Sequence, residues 1–234
     1  MIEFLLNLDE NIFLFFNQIH APFWDAAMYM FSGRFIWVPM YVAIFIGFLK
    51  GFPPRVAMIW VVAVALTIVL CDQTCATYIR PYFERLRPSN LENPLSEFVH
   101  VVREYRGGRY GFPSCHAANS FGLATILALV WPGTRLRYGI FIWAFINSYS
   151  RIYLGVHYPG DLLVGGIIGV IFGFIVYAAA RAVIRRMTAA DPGRMYPRQY
   201  MLRLNDYIIP YKSIDLSVVT GVITVICILL IAID

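Results

Sequence analysis

Six long apolar runs, almost free of charged side chains, recur along the chain. By residue number they are 35–49, 56–79, 117–134, 138–156, 162–180 and 216–233. A helix needs about 20 apolar residues to cross a hydrocarbon core of ~30 Å, and Lys or Arg side chains at the ends extend shorter runs to the interface. The pattern therefore predicts an all-α, polytopic membrane protein with six transmembrane helices.

The N-terminal segment, residues 1–33, mixes apolar and polar positions and is rich in aromatic side chains. This pattern predicts an amphipathic helix that lies in the membrane interface. The alternative is that residues 21–33 begin the first spanning helix. A cleavable signal peptide begins with positive charge, whereas this segment carries Glu3 and Asp9 and no basic residue before Arg34.

Composition agrees with a membrane protein. The chain is 59% hydrophobic and 14% charged, with a mean hydropathy of +0.65. Soluble domains are closer to half apolar and a quarter charged, so an ordinary soluble protein is excluded. Three of the four cysteines lie in or beside predicted spans, which argues against a secreted disulfide framework. No nucleotide-binding glycine loop or nucleic-acid signature is present, and no obligate protein partner is predicted.

The distribution of Lys and Arg predicts the orientation. Six spans place 50–55, 133–137 and 181–214 on one side, and they place 80–116 and 151–161 on the other. The first set contains more Lys and Arg, which marks the cytoplasmic side. The sequence thus predicts an inner-membrane protein whose loops 80–116 and 151–161 face outward. The predicted units are an interfacial segment 1–33, a catalytic transmembrane core 34–183, a basic cytoplasmic segment 184–214 and a C-terminal transmembrane helix 215–234.

Three polar clusters lie at ends of the predicted spans on the outward face. In the first, Arg80 and Arg87 are seven residues apart, which predicts two helical turns on one face. Arginine presents a rigid fork of donors that suits phosphate. The alternative is that these arginines only extend to the membrane interface and bind nothing. In the second, Ser114 is a predicted N-cap, so the first turn with Cys115 and His116 offers an anion site. An ordinary cap with an interfacial histidine is the alternative.

The third cluster contains Arg151, His157 and Asp161. His157 and Asp161 are four residues apart, so one helical turn brings them within reach. A carboxylate bonded to one ring nitrogen fixes the tautomer and leaves the other nitrogen as nucleophile or base. An unrelated pair near a helix start is the alternative. Because several cations accompany two histidines and one carboxylate, the set indicates phosphoryl transfer through a covalent intermediate, with neither a metal centre nor a cofactor.

These residues resemble the motifs of the type 2 phosphatidic acid phosphatases, a superfamily that includes soluble acid phosphatases and vanadium haloperoxidases. The family pattern is Lys-x6-Arg-Pro, Pro-Ser-Gly-His and Ser-Arg-x5-His-x3-Asp. This chain reads Arg80-x6-Arg87-Pro88, Pro113-Ser114-Cys115-His116 and Ser150-Arg151-x5-His157-x3-Asp161. Two positions depart from the pattern. Arg80 replaces Lys, which keeps the charge, and Cys115 replaces the glycine that lets the backbone approach phosphate closely.

The resemblance to the membrane branch implies a role for each residue. His157 is the nucleophile that becomes phosphohistidine, Asp161 orients it, and His116 protonates the leaving oxygen and then activates water. The phosphoryl oxygens are held by Arg80, Arg87, Arg151 and Ser114 and by backbone N–H groups near Cys115.

The predicted function is a metal-independent lipid phosphatase. An outward-facing site leaves undecaprenyl diphosphate, lipid A and phosphatidylglycerol phosphate as candidate substrates. One rival from a different class is a non-catalytic protein that binds or transports lipid phosphates. It would need the arginines but neither the histidine pair nor Asp161. A second rival is vanadate-dependent oxidation in the same pocket, which a membrane-embedded chain disfavours.

Overall fold

The computed structural model describes residues 2–132, 135–190 and 212–233, and the regular elements in that part of the chain are helices. Short 3₁₀ segments lie at Phe35–Trp37, Pro94–Phe98 and Val102–Glu104. The α-helices are α1 Ile2–Asn17, α2 Pro22–Phe31, α3 Val38–Gly51, α4 Pro54–Gln73, α5 Arg80–Phe83, α6 Cys115–Val130, α7 Arg135–Tyr153, α8 Pro159–Ala190 and α9 Lys212–Ile231. The predicted all-α class is confirmed.

Two of the described helical stretches are long and apolar enough to cross a membrane. They are Pro54–Phe83, which joins α4 to α5 through a π-helical segment, and Pro159–Thr188 within α8. The pair Pro22–Phe31 and Phe35–Gly51 adds a third if it is one broken span, since its halves meet at 69°. Cys115–Val130 and Leu216–Ile231 are shorter apolar helices. The chain is therefore an integral membrane protein, and the count of six spans stays a prediction.

Helix α6 forms the centre of the bundle and packs against α4, α7 and α8, while α9 packs mainly against α3. The contact of α6 with α8 is the most extensive, and glycines make it close. A Cβ added to Gly169 would lie 2.2 Å from the carbonyl oxygen of Ala118, and one added to Gly165 would lie 2.4 Å from that of Ser114. Small residues at such spacing let helix backbones touch in membranes. This contact brings the starts of α6 and α8 together at the outward-predicted face.

The structure corrects one local prediction. Arg80 and Arg87 do not share a helical face, because α5 ends at Phe83 and Glu84 adopts a left-handed conformation with φ of 46°. Leu86 pairs with Tyr110 in an isolated bridge, so this stretch is extended. Pro88 disfavours helical geometry at Arg87, so a helix could not have continued through that residue. The loop folds back instead and carries Arg87 into the bundle.

Two helix boundaries also differ from the predicted runs. Helix α7 begins at Arg135 and ends at Tyr153, and α8 runs on to Ala190, so Arg181, Arg185 and Arg186 lie on it. Most of the predicted basic segment 184–214 lies outside the described residues.

Candidate active site

His157 and Asp161 form a buried pair where α8 begins. His157 Nδ1 lies 3.2 Å from Asp161 Oδ2, and the two residues are 1% and 0% exposed. The same carboxylate oxygen accepts the N–H of Tyr158 at 3.1 Å, a contact in which a first-turn side chain caps its own helix. The carboxylate therefore fixes the imidazole through Nδ1 and leaves Nε2 facing the opposite way.

Arg87 approaches the free nitrogen of that imidazole. Its Nη1 lies 2.8 Å from His157 Nε2 and donates to the carbonyl of Val156, also at 2.8 Å. Burial, with Arg87 and Arg151 close by, lowers the pKa of His157 well below its ordinary value. Burial and the neighbouring Arg151 lower the pKa of Arg87 to about 10. His157 is therefore neutral at physiological pH, as a nitrogen nucleophile must be.

Three arginines from distant parts of the chain meet around this nitrogen. Arg80 donates to the carbonyl of Pro113 at 3.1 Å, and Arg151 donates to the hydroxyls of Ser32 and Tyr105. Within the described residues, three arginines have a buried Nε–H group without a hydrogen-bond partner; they are Arg80, Arg87 and Arg151. Buried cations that keep donors unused form a site that favours an anion with several oxygens, such as a phosphoryl group.

The N-terminus of α6 completes the anion site. The hydroxyl of Ser114 accepts the N–H of Ala117 at 3.4 Å, so the predicted N-cap is present. Cys115 and His116 precede Ala118, whose N–H makes the first helical bond, so the amides of the first turn are available at the positive end of the helix dipole. Cys115 Sγ accepts from Arg80 at 3.0 Å, which ties the unusual cysteine to the first arginine.

A cavity of about 880 Å³ connects these residues. His116, His157 and the three arginines line its polar end. Its other end is lined by apolar side chains of α3, α4, α6 and α7, namely Ile44, Phe45, Phe48, Val61, Val64, Ile68, Leu123 and Trp143. All predicted site residues except the buried Ser114 and Asp161 line the cavity; Asp161 contacts His157, and Ser114 directly precedes Cys115. The structure thus brings the three motifs together.

Arg85 and Asp9 were missed by sequence reasoning. Arg85 Nη1 lies 2.7 Å from Asp9 Oδ2 and 3.2 Å from Asp161 Oδ1, and its guanidinium lies over the ring of Tyr158. No local pattern indicates these pairs, because Arg85 is 76 residues from each carboxylate in sequence. Tyr105 was also missed: burial alone raises its pKa, but Arg151, Arg87 and Arg34 together outweigh that effect, and the net pKa shift is downward.

A second histidine cluster lies away from this site. His20, Asp25 and His100 have ligand atoms within 4.8 Å of one another. The two imidazole rings are parallel and stacked at 3.7 Å, so their nitrogen lone pairs run side by side and do not converge on one point. His100 Nε2 already contacts Asp25 at 3.1 Å, and Asp25 accepts from Tyr153. Hydrogen bonding accounts for this cluster.

The comparisons with known proteins agree with the site. A family model described as the PAP2 superfamily matches residues 56–185. The lipid A 4'-phosphatase of Bacteroides thetaiotaomicron is 52% identical over 192 residues, which cover 82% of this chain and 85% of that protein. The lipid A 4'-phosphatase of Porphyromonas gingivalis is 34% identical over 176 residues, which cover 75% and 74%. The chain therefore belongs to the PAP2 superfamily.

Solved structures show the same fold. The crystal structure of Aquifex aeolicus LpxE is 27% identical and has a TM-score of 0.53, with coverage of 71% of this chain and 92% of that chain. A transmembrane PAP2-type phosphatidylglycerolphosphate phosphatase from Bacillus subtilis, 20% identical with a TM-score of 0.56, covers 76% of this chain and 87% of that one, and supports the fold alone. The predicted family and the predicted class, a membrane lipid phosphatase, are confirmed.

Proposed function

We propose that this protein removes a phosphate from lipid A, with the 4'-phosphate as the expected target. Two relatives that cover most of the chain carry the name lipid A 4'-phosphatase, one of them at 52% identity. Relatives named undecaprenyl-diphosphatase are more distant, for example one at 30% identity from Sulfolobus acidocaldarius. The single observation that carries the choice of substrate is the 52% identity over 82% of the chain.

The proposed reaction proceeds in two displacements. In the first, His157 Nε2 attacks phosphorus, the bond from phosphorus to the lipid oxygen breaks, and that oxygen receives a proton from His116, which takes the proton up when the anionic substrate binds among the arginines. In the second, His116 takes a proton from water, the hydroxide attacks phosphorus, and the phosphorus–nitrogen bond breaks to release inorganic phosphate. Asp161 stabilises the positive charge that the imidazole gains on attack.

The arginines and the first turn of α6 supply electrostatic stabilisation. On substrate binding, Arg87 moves its donor from His157 Nε2 to a phosphoryl oxygen, which frees the nucleophile. Arg80, Arg151 and the amides near Cys115 and His116 donate hydrogen bonds to the remaining oxygens. Preorganised donors aimed at developing charge are the largest contribution in most phosphoryl transfers, and a cluster this rich in fixed cations has no need of a metal ion to supply it.

The shape of the cavity supports a lipid substrate. Its polar end contains the proposed nucleophile, and its apolar end lies among Ile44, Val64 and Trp143 of the spanning helices. A lipid phosphate has the same division, with a charged head and an apolar body. A soluble phosphate ester would leave the apolar wall in contact with water, at a cost of about 25 cal/mol per Å².

The proposal includes the predicted topology. Six spans, an interfacial α1 and an active face outside the cytoplasm place the site where exported lipid A is presented. The exposed apolar side chains of α1, among them Phe4, Leu5 and Phe15, support its place in the interface. The predicted units 1–33, 34–183, 184–214 and 215–234 follow the same plan, with the basic segment on the cytoplasmic side near anionic lipids.

The alternative is a protein that binds or transports lipid phosphates without cleaving them. Such a protein has no use for a carboxylate that orients an imidazole. The 3.2 Å contact between His157 and Asp161, with Nε2 turned to the arginines, favours catalysis. A binding protein would release no phosphate.

Phosphate release by protein purified in detergent tests the proposal. The substrates are lipid A bearing a 4'-phosphate, undecaprenyl diphosphate, phosphatidylglycerol phosphate and phosphatidic acid, each in excess EDTA. We expect release from lipid A to resist EDTA and to fall at least about 1,000-fold in His157→Ala. His20→Ala, which changes an exposed histidine outside the site, is the control and keeps full activity. Release that survives in His157→Ala contradicts the nucleophile, and preference for another lipid contradicts the substrate.

A further inference from the structure

Helix α1 presents a polar and aromatic stripe to the catalytic core. Asp9, Phe13 and Asn17 are spaced four residues apart, so they lie on one helical face. Phe13 and Asn17 are fully buried, and the ring of Phe13 packs edge-on against Tyr158, the residue between the nucleophile and α8. Asn17 donates to the carbonyls of His100, Ile152 and Tyr153. The residues that match the family model, 56–185, do not include this helix.

The two carboxylate oxygens of Asp9 bind two parts of the site. Oδ1 accepts the backbone N–H of Gly160 at 2.7 Å, and Oδ2 pairs with Arg85 at 2.7 Å. Arg85 is 3.2 Å from Asp161 Oδ1, while Asp161 Oδ2 contacts His157. One guanidinium is therefore shared between a carboxylate of α1 and the carboxylate that orients the proposed nucleophile.

We propose that Asp9 is a positioning residue for phosphoryl transfer, acting through Arg85 and the amide of Gly160, so that the face of α1 that carries Asp9 supports the catalytic site. This inference rests on the proposed roles of His157 and Asp161.

The physical reason is competition for Arg85. Asp161 is completely buried, whereas the side chains of Asp9 and Arg85 are 14% and 19% exposed, so the ion pairs of this group are only weakly screened by water. With Asp9 present, Arg85 is held between two carboxylates and leaves Asp161 Oδ2 directed at His157. If Asp9 loses its charge, Arg85 pairs with Asp161 alone and draws that carboxylate away from the imidazole. The N–H of Gly160 is at the same time left with an uncharged and therefore weaker acceptor.

Four variants of the full-length protein in detergent test the inference by steady-state kinetics on lipid A. Asp9→Asn keeps the shape and removes the charge, and Asp9→Glu keeps the charge. Glu3→Gln, at an exposed position of the same helix, is the matched control. His157→Ala reports on the proposed function itself. Thermal melting of each variant is measured beside the kinetics.

We expect Asp9→Asn to lower kcat about 10- to 100-fold, the usual effect of losing an orienting partner, with KM changed less than about threefold. Its melting temperature stays near that of the wild type, Asp9→Glu exceeds Asp9→Asn in kcat, and Glu3→Gln matches the wild type. If Asp9→Asn turns over like Glu3→Gln while His157→Ala is inactive, the inference is wrong and the proposed function stands. A loss of kcat that parallels a lower melting temperature in both Asp9 variants also overturns it, because α1 then acts only on folding. If His157→Ala keeps its activity, the proposed function is what fails.

Discussion

At the scale of single residues, Arg87 lies in an environment that is unfavourable for a charged side chain. It is 7% exposed, contacts the proposed nucleophile at 2.8 Å and has Arg80 and Arg151 as neighbours, so burial and like charges lower its pKa to about 10. Such a cluster is costly in the absence of an anion. In the proposed function a bound phosphoryl group compensates this charge, so we expect substrate binding to be coupled to the relief of the repulsion.

Replacement of Arg87 by lysine tests whether the guanidinium of Arg87 binds the phosphate. Arg87→Lys keeps the charge and loses the planar fork, so one charged hydrogen bond to phosphate is lost. At about 1.5–3 kcal/mol for such a bond, kcat/KM falls roughly 10- to 100-fold. Arg109→Lys is the matched control, since Arg109 pairs with Glu92 on the surface. Equal kcat/KM in both variants argues against a direct contact of Arg87 with phosphate.

The sequence predicts which motif residues form the site better than it predicts the contacts that hold them in place. Three spaced motifs are sufficient to nominate Arg80, Ser114 and His157, because their chemistry and order are characteristic. Asp9 and Arg85 belong to no such pattern, and their contact joins residues 76 positions apart that only the folded chain brings together.

At the scale of elements, the close contact of α6 with α8 sets the geometry of the site. The N–H of Ser114, at the start of α6, donates to the carbonyl of Asp161 in α8 at 3.0 Å. Gly165 and Gly169 allow this approach, because a Cβ at either would meet backbone oxygen closer than 3 Å. The close contact thereby fixes the distance between the first turn of α6 and the proposed nucleophile.

Matched glycine-to-alanine variants measure that contact. Gly169→Ala forces α8 away from Ala118, and overpacking of this kind costs about 1–3 kcal/mol. The melting temperature should fall by roughly 2–10 °C, with a loss of activity. Gly139→Ala in α7, where an added Cβ meets no other atom within 4 Å, should leave both unchanged. Equal melting temperatures for the two variants would contradict the close contact.

Helix periodicity predicts the spans but fails at their ends. The extrapolation from Arg80 to Arg87 assumes a continuous helix, whereas a π-helical segment at Thr74–Ile79 and the left-handed Glu84 redirect the chain. In the sequence, Pro88 indicates only that a helix cannot continue through Arg87, and neither of the two earlier breaks has such a signal. The points where the chain changes direction are therefore the least predictable part of the site, although they determine where Arg87 lies.

At the scale of the whole molecule, the fold combines a rigid anion site with an apolar cavity inside a helical bundle. The site residues come from α5, the loop between α5 and α6, the start of α6, the end of α7 and the start of α8, and α1 supports them from outside the matched family region. Hydropathy predicts that the chain is membrane-embedded, and motif order predicts which helix ends meet. The cavity depends on how α3, α4, α6 and α7 pack, which no single segment encodes.

The central claim is that His157 carries the phosphoryl group during turnover. The most direct measurement is rapid mixing with lipid A carrying a ³²P-labelled 4'-phosphate, followed by an alkaline quench and mass spectrometry of the labelled peptide. The account predicts transient label on His157, stable to base, lost in acid and absent from His157→Ala. Full turnover with no labelled intermediate, or label on Cys115, would contradict it.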